Sequence, residues 1–186
     1  MNRMTVASVL IMAVAWATGI QGADSPRFRG PEGNGVFPET GLLKQWPEGG
    51  PRLARSVQGL GPGYSSAVVV DGVVYVTGMD AQNQGQLHAF SVDGSPKWKA
   101  TYGPEFVRSG PAPTGTRGTP TVDGDRVFIV TGYGSLVILD AEKGEVLKTI
   151  NLLERFGAKQ AQFGFAECVL VDGQKVICTP GGPDAS

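Results

Sequence analysis

Three stretches share one pattern and decide the fold: Val70-Asp-Gly-Val-Val-Tyr-Val-Thr-Gly78, Val122-Asp-Gly-Asp-Arg-Val-Phe-Ile-Val-Thr-Gly132 and Val171-Asp-Gly-Gln-Lys-Val-Ile-Cys-Thr-Pro-Gly181. In each, an Asp-Gly pair lies between runs of Val, Ile, Tyr and Phe. A tight hairpin turn needs positive φ angles, which Asp and Gly tolerate. Each stretch therefore predicts a β-hairpin that turns at its Asp-Gly pair.

These hairpins recur at a nearly fixed period, because the Asp residues stand at positions 71, 123 and 172. The first two units continue alike, with Gly85-Gln-Leu-His-Ala-Phe-Ser and Gly134-Ser-Leu-Val-Ile-Leu-Asp as third strands. Turns at Gly94 and Gly144 then lead into fourth strands. Four antiparallel strands every ~50 residues are typical of one β-propeller blade. A β-sandwich also has short strands and Gly-rich turns, but it has no reason to repeat this hairpin. We expect an all-β, partial β-propeller of about two and a half four-stranded antiparallel blades.

Composition agrees with a β-rich chain and excludes several classes of function. The 28 Gly and 13 Pro together make 41 of 186 residues, which disfavours long helices. A formal charge of −1 gives no basic excess for binding nucleic acid. One His and two Cys cannot supply the four ligands of a structural zinc site.

The chain divides into three segments in sequence. Residues 1–23 have the plan of a secretory signal peptide: Arg3, an apolar stretch, and then small residues. The apolar stretch runs from Thr5 to Ala17, which is short for a membrane span. Residues 24–63 are a Gly/Pro-rich extended leader in which 53–57 is the one possible strand, and residues 64–186 hold the blades. We expect an exported, periplasmic or extracellular protein with no stable membrane span after cleavage.

The repeat also resembles a known family. The pattern Gly-x-Leu-x-Ala-x-Asp, a turn Gly and then a Trp or apolar residue, preceded by the Asp-Gly hairpin, resembles the pyrroloquinoline quinone (PQQ)-type propeller repeat. The runs Phe28-Arg-Gly-Pro-Glu-Gly-Asn-Gly-Val36 and Gly61-Pro-Gly-Tyr-Ser-Ser66 are similar to the opening of exported planctomycete-type members. The resemblance implies the fold more strongly than an activity, since this repeat serves quinoprotein dehydrogenases, an outer-membrane assembly scaffold and uncharacterised proteins. PQQ enters as a cofactor only through this resemblance, and no cofactor-binding residue is assigned.

Two departures from the family pattern matter. The docking Trp of the repeat is present as Trp98 in the first unit, where we expect it to pack blade against blade, but Lys148 stands at its place in the second. The resembled propellers have about eight blades, so the chain reads as an N-terminal fragment.

The long connection 101–118 contains a candidate ligand-facing residue. Loops of this length are often functional, and Arg117 precedes a strand, where its guanidinium can point into a propeller funnel and clamp a carboxylate. An inter-blade ion pair or a solvated loop is the alternative. The next connection, 151–157, predicts a short helix that begins at an Asn151 cap and stops at Gly157.

Other polar residues give weaker signals. His88 alternates with Leu87 and Ala89 in a strand, which indicates a structural or exposed histidine. Cys168 and Cys178 flank the third hairpin: a three-residue loop, 172–174, puts them opposite each other within reach of a disulfide, whereas a two-residue loop abolishes the pairing. Two free thiols are the alternative.

Two functions remain open. The first is a non-catalytic binding or scaffold module that contacts a protein or polymer of the cell envelope. The second is a fragment of a PQQ-dependent oxidoreductase. No catalytic residue and no metal ligand can be assigned from the sequence, so the first is the leading hypothesis.

Overall fold

A computed structural model describes residues 22–107 and 114–185. The predicted signal peptide therefore lies almost wholly outside the described residues. The first sheet contains β1 (Val68–Val70), β2 (Val73–Met79), β3 (Gln84–Ser91) and β4 (Pro96–Pro104). The second contains β5 (Thr121–Asp123), β6 (Arg126–Val130), β7 (Ser135–Asp140) and β8 (Val146–Asn151). Each sheet pairs its strands antiparallel in chain order, which makes them blades 1 and 2.

A third hairpin follows a short helix. Helix α1 (Leu152–Phe156) begins at the predicted Asn151 cap, whose side chain accepts from the backbone N–H groups of Leu153 and Glu154, and Gly157 ends it in the left-handed conformation. Strands β9 (Leu170–Asp172) and β10 (Lys175–Ile177) then pair antiparallel. The prediction of a partial propeller of four-stranded blades is confirmed.

The hairpin turns differ in position from the prediction in two of the three units. In the first unit Val70 pairs with Val73, so Asp71 and Gly72 form the turn, both with positive φ. In the second unit Asp123 pairs with Arg126, so the turn moves one residue on, to Gly124 and Asp125. Unit three follows unit two, with Asp172 paired to Lys175. Aligning the units by their Asp-Gly pairs is therefore wrong by one residue between the first unit and the others.

The core lies between neighbouring sheets. Tyr75, Leu87 and Ala89 on one face of blade 1 pack against Val127, Ile129, Val137 and Leu139 of blade 2. On the other face of blade 2, Phe128, Val130 and Leu136 pack against Val169, α1 and the third hairpin. Trp98 docks blade 1 on blade 2 as predicted, because its indole N–H donates to the Ala141 carbonyl.

The leader is bound to the blades and forms no strand at 53–57. Its first residues pair with the innermost strands: Ser25 exchanges two backbone hydrogen bonds with Val69, and the Pro26 carbonyl accepts from Val122. Further on, Gly61 and Gly78 allow close backbone contact, since a Cβ on Gly78 would lie 1.7 Å from the Leu60 carbonyl oxygen. The leader therefore contacts both blades at the inner strands and blade 1 again at β2.

Candidate functional site

The connections between blades gather at one end of the sheets, opposite the hairpins at 71–72, 124–125 and 173–174. We call this the loop end; it comprises residues 59–67, 79–84, 104–107, 114–120, 131–134 and 152–169. Backbone and hydroxyl hydrogen bonds join its segments, including Tyr64 N–H to the Thr116 carbonyl and Ser66 N–H to the Thr119 hydroxyl. Blades stack through their sheet faces, so this end stays accessible whichever blades adjoin it.

A buried carboxylate, Glu105, stands at the junction of the two blades and is only 2% exposed. Its Oε1 accepts from the Tyr102 hydroxyl and its Oε2 from the Gly132 N–H, each at 2.7 Å. Tyr102 belongs to blade 1 and Gly132 follows β6 of blade 2, so the carboxylate joins the two sheets. Thr77 and Thr116 extend this polar layer through a hydroxyl pair at 2.9 Å.

Burial controls the titration of this pair. Removal from water raises the pKa of Glu105, while hydrogen bonds from Tyr102 and Gly132 and the positive charge of Arg117 act in the opposite direction. Burial, together with the neighbouring Glu105, also raises the pKa of Tyr102 far above its usual value. Tyr102 is thus a permanent donor to the carboxylate.

Arg117, the candidate ligand-facing residue, is half-buried beside this junction. Its guanidinium donates to the Phe163 carbonyl in the connection that leads to the third hairpin, and its charge acts on Glu105. These contacts hold together the connection before β5 and the connection before β9. They agree with the alternative in which Arg117 makes an inter-blade contact. Whether it also meets a ligand stays a prediction.

The two cysteines are both free thiols and partly buried. The third hairpin has the two-residue loop, and its register pairs Val171 with Val176 and Leu170 with Ile177. Extending this register places Cys178 opposite Val169, so the cysteines do not face each other. Burial raises the pKa of the Cys178 thiol, and the negative charge of nearby Glu167 raises it further by a smaller amount.

A pocket of about 560 Å³ opens between the leader and blade 1 at the loop end. Leader residues 59–62 form one wall, and Gln86, His88 and Lys99 of the sheet form another. His88 is 7% exposed, and its Nε2 has no hydrogen-bond partner among the described residues. Sequence reasoning did not pick out this pocket, because the leader has no periodicity that predicts where it docks.

The chain is thus a propeller repeat protein with a polar inter-blade junction and a leader-walled pocket, and the comparisons specify its family. The sequence profile described as outer membrane protein assembly factor BamB matches residues 40–147 and 108–183. Because these matches span more than half of the chain, it belongs to this family of PQQ-like propeller repeat proteins. No curated protein is a significant match.

Two solved structures are similar to part of this chain, and the first of them has the same fold in the matched region. Quinohemoprotein alcohol dehydrogenase from Comamonas testosteroni is 26% identical, with a TM-score of 0.50, over 66% of this chain and 18% of that chain. A europium-containing methanol dehydrogenase is 21% identical, with a TM-score of 0.45, over 67% of this chain and 22% of that chain. The chain spans about a fifth of the length of either structure. Within the described part of the chain, no helix is long and apolar enough to cross a membrane.

Proposed function

We propose that this protein is an exported, non-catalytic propeller module that binds a protein or polymer partner in the cell envelope. The observation that carries the proposal is the family match over most of the blades, because the family is described by an outer-membrane assembly role. The apolar segment at residues 5–17 supports export. Glu105 supports a structural role for the junction, since its two carboxylate oxygens accept hydrogen bonds from neighbouring blades.

Exposed aromatic side chains indicate the surface that would meet the partner. Tyr64, Tyr133 and Phe163 are 58%, 41% and 53% exposed, and all three lie at the loop end. Two of them are connected, because Gly164, which follows Phe163, abuts the Phe106 ring, and Phe106 meets the Tyr133 ring edge-on at 5.4 Å. Tyr64 is held nearby through its backbone N–H, which donates to the Thr116 carbonyl. Aromatic residues are enriched at protein interfaces, so we place the partner here.

Site-specific cross-linking tests this surface. A photo-reactive amino acid at Tyr133 in cells that produce the protein should give a discrete cross-linked product in the envelope fraction. The matched control is Lys143, which is exposed in the turn at the opposite end of blade 2. Equal products from both positions, or recovery of the uncleaved protein in the cytosol, would contradict the proposal.

A PQQ-dependent oxidoreductase, of which this chain forms part, is the second candidate, and it is favoured by the likeness to the Comamonas testosteroni enzyme. The described residues do not by themselves fit the quinone: the buried carboxylate at the loop end is occupied by Tyr102 and Gly132, and Arg117 is turned to Phe163. Residues elsewhere would have to hold the cofactor. Adding PQQ and calcium to the complete gene product and following the cofactor spectrum and dye reduction distinguishes the two functions.

A further inference from the structure

Gly132, in the turn after β6, lies where the connections on either side of blade 2 meet. Its N–H donates to Oε2 of Glu105, which belongs to the connection before β5. Its carbonyl accepts from the Phe165 N–H at 3.0 Å and from the Gln160 side-chain amide at 3.1 Å, and both donors belong to the connection before β9. One residue of blade 2 thus ties together two connections of the loop end.

The position of Gly132 has no room for a side chain. A Cβ there would lie 2.6 Å from the Cβ of Phe106 and 2.9 Å from Oε2 of Glu105. Glycine is therefore needed for the close approach of the first connection to this turn. Gly132 is buried, and the groups that contact it belong to blade 2 or to the two connections. This arrangement does not depend on which further blades adjoin the chain.

Two exposed aromatic residues of the loop end are attached to Gly132. Tyr133 directly follows it, and the Tyr133 ring meets the Phe106 ring edge-on at 5.4 Å. Phe163 precedes Gly164, where a Cβ would lie 2.8 Å from the same Phe106 ring. The contacts around Gly132 therefore determine where the rings of Tyr133 and Phe163 stand on the surface.

Among these contacts, the one made by Glu105 comes from a single side chain. Its Oε2 accepts from the Gly132 N–H at 2.7 Å, while its Oε1 separately accepts from the Tyr102 hydroxyl. Glu105 is only 2% exposed, so water has little access to replace the carboxylate. Loss of Glu105 would leave the Gly132 N–H buried without this acceptor, which is costly.

We propose that Glu105 is the positioning residue of a preformed aromatic binding surface, formed by Tyr133 and Phe163, and that it acts through Gly132. This inference rests on the proposed binding function of the loop end. A surface that is already ordered loses less conformational entropy when a partner binds. The affinity for the partner therefore depends on a buried carboxylate that the partner itself does not touch.

Hydrogen exchange in the purified complete gene product tests the positioning role without any partner. In Glu105→Ala the Gly132 amide should exchange about tenfold faster, the value of one hydrogen bond, while the amides of β7 keep their protection. In Glu105→Gln the side-chain carbonyl still accepts from Gly132 and the side-chain amide donates to the Tyr102 oxygen, so the protection of Gly132 should be retained. Tyr102→Phe is the matched control, because it removes the other hydrogen bond of Glu105 and should leave Gly132 protected.

Cross-linking in cells then tests the effect on the partner. A photo-reactive amino acid at Phe163, which leaves the contact between Phe106 and Tyr133 intact, should give the envelope product in the unaltered background. The product should persist with Glu105→Gln and with Tyr102→Phe, and it should fall about tenfold with Glu105→Ala.

Several outcomes would overturn the inference while leaving the proposed function in place. These are unchanged exchange at Gly132 in Glu105→Ala, a full cross-linked product from that variant, or an equal loss of product in Tyr102→Phe. Loss of protection throughout β7 in Glu105→Ala would likewise overturn it, because Glu105 would then have a general structural role. Absence of a product in the unaltered protein would instead contradict the proposed function, and this inference with it.

Discussion

At the scale of single residues, Glu105 and His88 show two ways of burying a titratable group. Glu105 has a donor for each carboxylate oxygen, and these donors come from neighbouring blades. His88 has one satisfied nitrogen and one without a partner among the described residues. The first arrangement fixes the blade junction, whereas the second leaves one buried acceptor without a partner among the described residues.

The first prediction concerns the pH dependence that Glu105 confers. Because burial raises its pKa above the usual 4.5, the folded protein binds this proton more tightly than the unfolded chain. The contribution of Glu105 to stability is therefore fully present below pH 4.5 and is lost as the pH rises through the raised value. Urea unfolding, carried out at concentrations low enough to prevent association, should show the unaltered protein gaining stability on acidification relative to Glu105→Gln. The exposed Glu142→Gln is the control, and an equal gain in Glu105→Gln would exclude this cause.

The second prediction concerns Trp98, which docks blade 1 on the turn before β8. Its ring would lie 2.5 Å from a Cβ on Gly144, it meets Tyr75 at 5.9 Å, and its N–H donates to Ala141. At concentrations low enough to prevent association, Trp98→Ala should lower the free energy of unfolding by about 2–4 kcal/mol, since the indole is half-buried. Trp46, which is exposed in the leader, is the matched control, and Trp46→Ala should cost less than about 0.5 kcal/mol. Equal losses would show that Trp98 does not dock the blades.

At the scale of elements, the hairpins were predictable and their exact turns were not. Alternation of apolar residues around Asp-Gly is a local signal that locates the three hairpins. The Asn151 cap and the Gly157 stop locate the short helix between them. The position of the turn depends on which residue of the following strand faces the core. In the strand pairing, Tyr75 of blade 1 is equivalent to Phe128 of blade 2, whereas counting from the two Asp-Gly pairs gives a different equivalence. The packing between blades thus determines the register.

The docking of the leader and the burial of Glu105 could not be predicted from the sequence, because both depend on contacts between distant segments. Ser25 and Pro26 lie in a stretch of turn residues without periodicity, so nothing local indicates their pairing with β1 and β5. Glu105 is one of several charges in a long connection, and its burial follows only from the meeting of two blades. For His88, alternation with Leu87 and Ala89 predicts a structural or exposed histidine, and the structure shows it buried.

The third prediction tests the leader as an element of the folded unit. Gly78→Ala would place a Cβ against the Leu60 carbonyl oxygen, and this contact requires the leader to move away from β2. Limited proteolysis should then cut within 53–62 much faster than in the unaltered protein. Ala81→Ser, in the exposed turn after β2, should leave the cleavage rate unchanged. Equal protection in Gly78→Ala would mean that the leader is held mainly by its other contacts.

At the scale of the whole molecule, each blade is stabilised by its neighbours. Blade 2 buries both faces, whereas the outer face of blade 1 is covered only in part by leader residues such as Val57 and Leu60. In the described part of the chain, β10 pairs with β9 alone. Ile177 is exposed on this strand. The described part of the chain therefore presents an apolar sheet face at one end and an unpaired edge of β10 at the other.

The last prediction follows from these two ends. If each absent blade contact leaves about 500 Å² of apolar surface in water, the lost free energy of burial is on the order of 12 kcal/mol. This is comparable to the net stability of a domain. Residues 24–186 produced alone should therefore associate: sedimentation should show oligomers that grow with concentration, and heating should give a broad unfolding transition. Ile177→Lys, which places a charge on the open edge of β10, should reduce this association. A monomer with one sharp, reversible transition near about 60 °C would instead show that these blades form a self-sufficient domain.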